Sequence, residues 1–239
     1  MSERFSRTEA LLGKEAMEKL QRARVAIFGV GGVGGYVCEA LVRSGVGEID
    51  LVDNDTVSES NINRQIVATE KTVGRKKTEV MKERAEEINP DVKARVWNMF
   101  FLPENAETFP FEEYDYVVDA VDTVAAKIAL AEQAKKNGVK IISSMGAGNK
   151  LDPTAFKVAD VYDTKVCPLA KVMRRELKKR GIERLKVVYS EEEPLPVNLE
   201  RAENADRRKA VPGSIAFIPS VVGLIIASEV IKDLTKKEE

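Results

Sequence analysis

Short runs of aliphatic and β-branched residues alternate along the chain with longer stretches whose apolar positions recur every three or four residues. The runs 24–28, 48–52, 92–97, 116–122 and 139–143 read as strands. Val25-Ala26-Ile27-Phe28 is apolar without a break, as expected of a parallel strand buried on both faces. Helical patterns fill the intervals at 8–21, from Val33 to Ser44, at 76–87 and at 123–137. In the first of these, Leu11, Leu12, Met17 and Leu20 form the expected buried side. Alternating strands and helices predict a doubly wound first half.

The second half breaks that rhythm. An antiparallel strand is expected at 156–161 and a helix at 168–180, opened by Pro168 and closed by Gly181. A strand at 185–189 and a long polar stretch at 190–209 follow. The apolar segment 215–231 is short for a membrane span, is interrupted by Pro219 and carries Glu229. It reads instead as a buried strand, 215–218, followed by a core helix, 221–234. The expected fold is α/β and Rossmann-like, with a mixed, mostly parallel sheet flanked by helices. One domain over residues 1–239 is the simplest division.

Composition narrows the chemistry. The 38 Lys and Arg nearly balance the 39 Asp and Glu, so no global basic field argues for nucleic acid. Histidine is absent, which removes serine–histidine and cysteine–histidine catalysis. Two cysteines, Cys38 and Cys167, are too few for a disulfide scaffold or a four-cysteine zinc site, so no zinc is expected. Cys38 reads as a core residue, and Cys167, at a helix start, is the less inert of the two. With no apolar N-terminal signal region, a cytoplasmic location is the default.

The informative stretch is RVAIFGVGGVGGYVCEALVRSGVGEIDLVDNDTVSESNINRQ, residues 24–65. A strand runs into Gly29, Gly31, Gly32 and Gly34, with a helix directly behind. Glycines let backbone N–H groups approach a phosphate, and the helix N-terminus favours the anion. Asp53 ends the next strand about 20 residues on, where a ribose-binding acid belongs. A dinucleotide site would stop there. Here Asp55, Asn61, Arg64, Gln65 and, beyond Val73-Gly74, Lys77 follow, and the two cations could clamp a triphosphate. Asp122, at the end of 116–122, is either a helix N-cap or a ligand for a hard cation.

This pattern resembles the E1-like adenylating family of the ThiF, MoeB and HesA type, whose equivalent residues bind ATP and Mg²⁺ and adenylate a carboxylate. The resemblance implies an ATP-binding half at 1–150 and a substrate-side, sheet-completing half at 151–239. It places Mg²⁺ chemistry on Asp122 and the phosphates on Arg64, Lys77, Asn61 and Gln65. The N-terminal Arg4-Phe5-Ser6-Arg7 is similar to a family segment whose second arginine reaches the partner subunit's ATP, so Arg7 and a homodimer are implied. Taken alone, the same arginines are a solvated arm.

The paired CxxC motifs of the MoeB and ThiF type are missing. Instead GAGNKLDPT, VADVYDTKVCPLAKVMRRELKKRGI, KVVYSEEEP and PGSIAFIPSVVGL resemble the tRNA threonylcarbamoyladenosine dehydratase branch. That branch implies cyclisation of the modified nucleoside beside the anticodon, with tRNA as partner. The basic helix (Lys171, Arg174, Arg175, Lys178) with Arg207 and Arg208 would hold tRNA, or is simply a solvated surface. The alternative substrate is the C-terminal carboxylate of a sulfur-carrier or ubiquitin-like protein, with a sulfur-transfer protein as a further partner.

Overall fold

Val25 and Ile27 pack into one core cluster while Ala26 and Phe28 pack into another, so the first strand is buried on both faces. The computed structural model describes residues 2–196 and 212–236. Its strands are β1 (Arg24–Phe28), β2 (Glu48–Val52), β3 (Lys93–Trp97), β4 (Tyr116–Asp119), β5 (Lys140–Ser144), β6 (Phe156–Asp160) and β7 (Lys186–Ser190). They form one seven-stranded sheet in the order β3-β2-β1-β4-β5-β7-β6. Every pairing is parallel except that of β6 with β7. The expected Rossmann-like, mixed, mostly parallel sheet is therefore observed.

The helices are α1 (Ser6–Leu12), α2 (Lys14–Arg22), α3 (Gly34–Arg43), α4 (Lys77–Ile88), α5 (Val124–Asn137), α6 (Pro168–Lys179) and α7 (Phe217–Thr235). Met17, Val37, Leu41, Met81, Val222 and Ile226 bring α2, α3, α4 and α7 onto one face. The other face is covered by α5, α6 and an aromatic cluster. There Phe28 meets Phe101 and Phe109 edge-on, with ring centroids 5.0 and 5.4 Å apart.

Two expectations are corrected. Residues 215–218 form no strand: α7 starts at Phe217, and Ile215 and Phe217 are exposed. Pro219 is accommodated because it lies in the first turn, where its missing N–H has no intrahelical partner to lose. Leu11 is 82% exposed, and α1 buries no residue at all. Met17 and Leu20 alone, on α2, carry the buried side expected of this region; Leu12 is only partly covered.

Strand order reverses between β1 and β4, and ligands of open α/β sheets bind at the carboxyl ends of the strands flanking such a switch. The glycine loop follows β1, and Ala120-Val121-Asp122 follows β4.

Candidate active site

A cavity of about 610 Å³ opens at that switch. Its floor is the glycine loop. Gly29 has φ +92°, and a Cβ there would lie 2.6 Å from the Ala120 carbonyl oxygen. Gly34 does not line the cavity but packs beneath it, where a Cβ would fall 1.8 Å from the Gly29 oxygen. The loop and the end of β4 are thus in backbone contact, which only glycine permits.

Asp53, at the end of β2, accepts from the Val30 N–H at 2.8 Å and from the Asp55 N–H at 2.8 Å. It fixes the loop and leaves lone pairs free for a hydroxyl donor. Residues 55–57 run beside 74–77: Val57 N–H donates to Arg75, and Lys77 N–H to Asp55. That pairing carries Lys77 back to the strand end, where its ammonium meets the Asp55 carboxylate at 2.7 Å with only 7% of the side chain exposed. The charge-rich surface of α4 gives no hint that this lysine is buried.

A short 3-10 turn, Glu59–Asn61, folds the next group of side chains into the site. The Asn61 side chain accepts from Ser58 N–H at 3.1 Å, and its carbonyl accepts from the N–H groups of Arg64 and Gln65. Arg64 is held by the Ser60 carbonyl at 2.9 Å and the Asn63 side chain at 2.8 Å. Asn63 in turn donates to the Ser214 carbonyl at 3.0 Å, tying the arginine to the segment before α7. Gln65 is buried, and its Oε1 has no hydrogen-bond partner among the described residues. An unpaired buried carbonyl is costly; the donor end of the same side chain, Nε2, lies beside Gly31 in the glycine loop.

The remaining wall is apolar: Val52, Met99, Phe100, Phe101, Leu102 and Ala126 line the cavity. Residues 99–102 carry no sequence motif, and only the path of the chain after β3 brings them here. Asp122 stands exposed at the rim. The N-cap of α5 is Thr123, with no side-chain cap bond, so Asp122 is free of the capping role.

Gly29, Gly31, Gly32, Asp53, Asp55, Asn61, Arg64, Gln65, Lys77 and Asp122 therefore all converge on one cavity. Arg7 does not line it; it is exposed on α1. The basic helix is likewise elsewhere, and its reading is corrected in part. Arg174 turns inward to the Thr164 carbonyl at 3.0 Å and to the Thr164 hydroxyl. Arg175 pairs with Glu176. Lys171 and Lys178 are exposed, while Arg207 and Arg208 lie outside the described residues. Cys38 and Cys167 are both buried, and burial pushes the Cys38 thiol far up, out of thiolate chemistry.

A larger groove, about 750 Å³, lies at the opposite ends of the strands. Two of its lysines are already engaged: Lys186 with Asp233 at 2.7 Å, and Lys135 with the Gly181 carbonyl at 2.8 Å. The smaller cavity carries the chemistry.

Among the described residues no group of three or more Cys, Asp or Glu side chains forms a metal cage. A single carboxylate at the rim suits Mg²⁺ that arrives on a triphosphate, since this ion takes one or two carboxylates with phosphates and waters. Asp122 fits that donor set.

The family model described as the ThiF family matches residues 5–239. The chain belongs to the ThiF family. A Bacillus subtilis relative named tRNA threonylcarbamoyladenosine dehydratase is 45% identical over 247 residues, spanning 100% of this chain and 97% of the relative. Crystal structures of the Escherichia coli tRNA N6-threonylcarbamoyladenosine dehydratase in complex with AMP and with ATP superpose with TM-scores of 0.87 and 0.86. Each is 32% identical and covers 97% of this chain and 93% of its own. An adenylyltransferase and sulfurtransferase of Vanderwaltozyma polyspora is 35% identical over 142 residues, which is 59% of this chain and 32% of that protein.

Proposed function

We propose that this protein is an ATP-dependent dehydratase that cyclises N6-threonylcarbamoyladenosine in tRNA. The observation that carries the reading is likeness over the whole length to dehydratases of that name, combined with a cavity built for a nucleotide triphosphate. The threonyl carboxylate attacks the α-phosphate of ATP and pyrophosphate leaves. The neighbouring carbamoyl group then attacks the acyl adenylate and expels AMP. This second attack is intramolecular, so proximity supplies much of the acceleration and no enzymic nucleophile is required. That agrees with a chain that has no histidine and two buried cysteines.

In this reading residues 1–239 form one domain, its first 150 residues serving ATP and the remainder the substrate. The glycine loop receives the phosphates, Asp53 the ribose, and the apolar wall at 99–102 the base. Arg64 and Lys77 neutralise the charge that develops as pyrophosphate leaves. Asn61 and Gln65 position the phosphates. Asp122 would hold Mg²⁺, which supplies further neutralisation of the triphosphate. Lys171, Arg175 and Lys178 form the tRNA-facing surface. No helix among the described residues is long and apolar enough to cross a membrane, and the proposed location is the cytoplasm.

A homodimer completes the site. The exposed apolar groups Leu11 on α1 and Phe217 and Leu224 on α7 offer surface for a second copy, which brings Arg7 to the partner's phosphates. Mixing inactive Arg7→Ala and Asp122→Ala proteins then restores activity, because one site of each mixed dimer is intact. No recovery in mixed dimers removes Arg7 from the mechanism.

The test of function is mass spectrometry of nucleosides from threonylcarbamoylated tRNA incubated with protein, ATP and Mg²⁺. Loss of one water from the modified nucleoside, abolished by Asp122→Ala, is expected. An unchanged nucleoside with an ATP-binding protein would favour activation of a carrier protein's C-terminus, the chemistry for which a sulfur-transfer partner has a role.

A further inference from the structure

Directly behind the cavity, where no ligand reaches, lies a buried ion pair. The Lys127 ammonium sits 3.1 and 3.2 Å from the two carboxylate oxygens of Asp119, and both side chains are only 1% exposed. Lys127 also donates to the Ser143 hydroxyl at 3.3 Å and the Ser144 carbonyl at 2.7 Å. Asp119 accepts in addition from the Ser143 hydroxyl and from the Val121 N–H at 3.3 Å. An ammonium has three protons, and three groups surround it. The network is closed, so it has no proton to offer a substrate.

Its value is not stability. Placing two charges inside a core costs desolvation, and apolar side chains of similar volume fill such sites equally well. Val117 and Leu130, on the same strand and helix as the pair, belong to the buried apolar cluster on that face of the sheet. What the pair has that hydrophobes lack is direction.

Two of the three elements it joins, β4 and α5, meet at the site. Asp119 closes β4, and the next residues, Ala120 to Asp122, line the cavity. Ser144 closes β5 and leads into Met145 to Asn149. Lys127 belongs to the first turns of α5, whose Ala126 faces the apolar wall. Any shift of Ala120 also reaches the glycine loop, because the Ala120 carbonyl lies against Gly29.

We propose that Lys127 is a positioning residue that, braced against the end of β5, locks the Asp122 loop and the start of α5 into one arrangement around bound Mg·ATP. It acts through these elements and touches no ligand. The inference rests on the nucleotide part of the function proposed above.

The experiment compares wild type with Lys127→Met, with the double variant Asp119→Leu/Lys127→Met, and with Ser143→Ala. Each is followed by thermal unfolding and by titration of ATP binding against Mg²⁺ concentration. Lys127→Met alone strands a buried carboxylate and is expected to unfold early. The double variant regains a wild-type unfolding midpoint yet requires roughly tenfold or more Mg²⁺ for half-maximal ATP binding, since small misplacements of site groups are expensive. Ser143→Ala stays folded and shifts the Mg²⁺ requirement in the same direction by a smaller factor. A folded double variant, or Ser143→Ala, that binds Mg·ATP as wild type does would reduce the pair to a structural contact and overturn the proposal. A wild-type protein that binds ATP but leaves modified tRNA unchanged would remove the dehydratase reading and leave this inference standing.

Discussion

Replacing Gln65 by leucine separates what the site needs from what the fold prefers. The Gln65 side chain is buried, and its Oε1 finds no partner among the described residues. A buried carbonyl left in that state costs about 1–3 kcal/mol. Leucine removes the orphan acceptor and adds apolar contact at similar volume. Taking the low end, the free protein should gain about 1 kcal/mol, which for a chain of this size raises the unfolding midpoint by about 2–4 °C. The loss appears with ligand present. Leucine also removes the Nε2 donor, the end of the side chain that can bond a phosphate oxygen. A hydrogen bond to a charged group contributes about 1.5–3 kcal/mol, so the ATP dissociation constant should rise by roughly 10- to 100-fold. Differential scanning calorimetry of the ligand-free protein and a direct ATP titration read the two effects separately. A variant that is less stable without ligand and binds ATP within about twofold of wild type would refute the reasoning, because Gln65 would then be a fold residue and not a ligand residue.

Three further outcomes are expected. Gly34→Ala drives its Cβ to 1.8 Å from the Gly29 oxygen; the clash is with backbone and cannot be relieved by a rotamer, so the protein should lose both ATP binding and most of its folded yield on expression. Arg174→Ala should destabilise the fold by about 1–2 kcal/mol through its lost bonds to Thr164 without changing the salt dependence of tRNA binding, whereas Lys171→Ala and Lys178→Ala each lower that salt slope by about one. Glu39 gives the pH dependence: burial pushes its carboxyl upward, but hydrogen bonds from Arg84 and Arg43 outweigh this and hold it below the usual range. Its stabilisation is therefore present above the unfolded carboxylate range, about pH 4.3, and is lost as pH falls through the lowered value. Glu39→Gln should flatten the acid limb of an unfolding-midpoint-versus-pH curve, and an unchanged limb would place the acid sensitivity elsewhere.

Local grammar determined much of this protein. Strand, glycine loop, helix and strand-end acid follow one another within 24–53, and each needs only its neighbours in sequence to be recognised: a continuous apolar run, residues without a Cβ, a 3.6-residue period. Lys77 was legible only through its resemblance to the family's position three residues past Val73-Gly74. Tertiary structure decided the questions in which the same local signal has two outcomes. Leu11 carries the helical period of a buried residue, yet it stays 82% exposed, with no cover among the described residues. Ile215 to Ile218 has the composition of a strand, but it pairs with no strand of the sheet, and from Phe217 onward the backbone joins the hydrogen bonding of α7 instead. Arg174 and Lys178 stand one helical turn apart in one basic run, and only the turn at 161–164, packed beside α6, makes the first an internal brace and leaves the second in solvent. Lys127, one lysine among many, became a buried cation because β4 and β5 lie side by side and bring Asp119, Ser143 and Ser144 around it. Periodicity states which side chains prefer to leave water; which partners await them is set by elements far away in the chain.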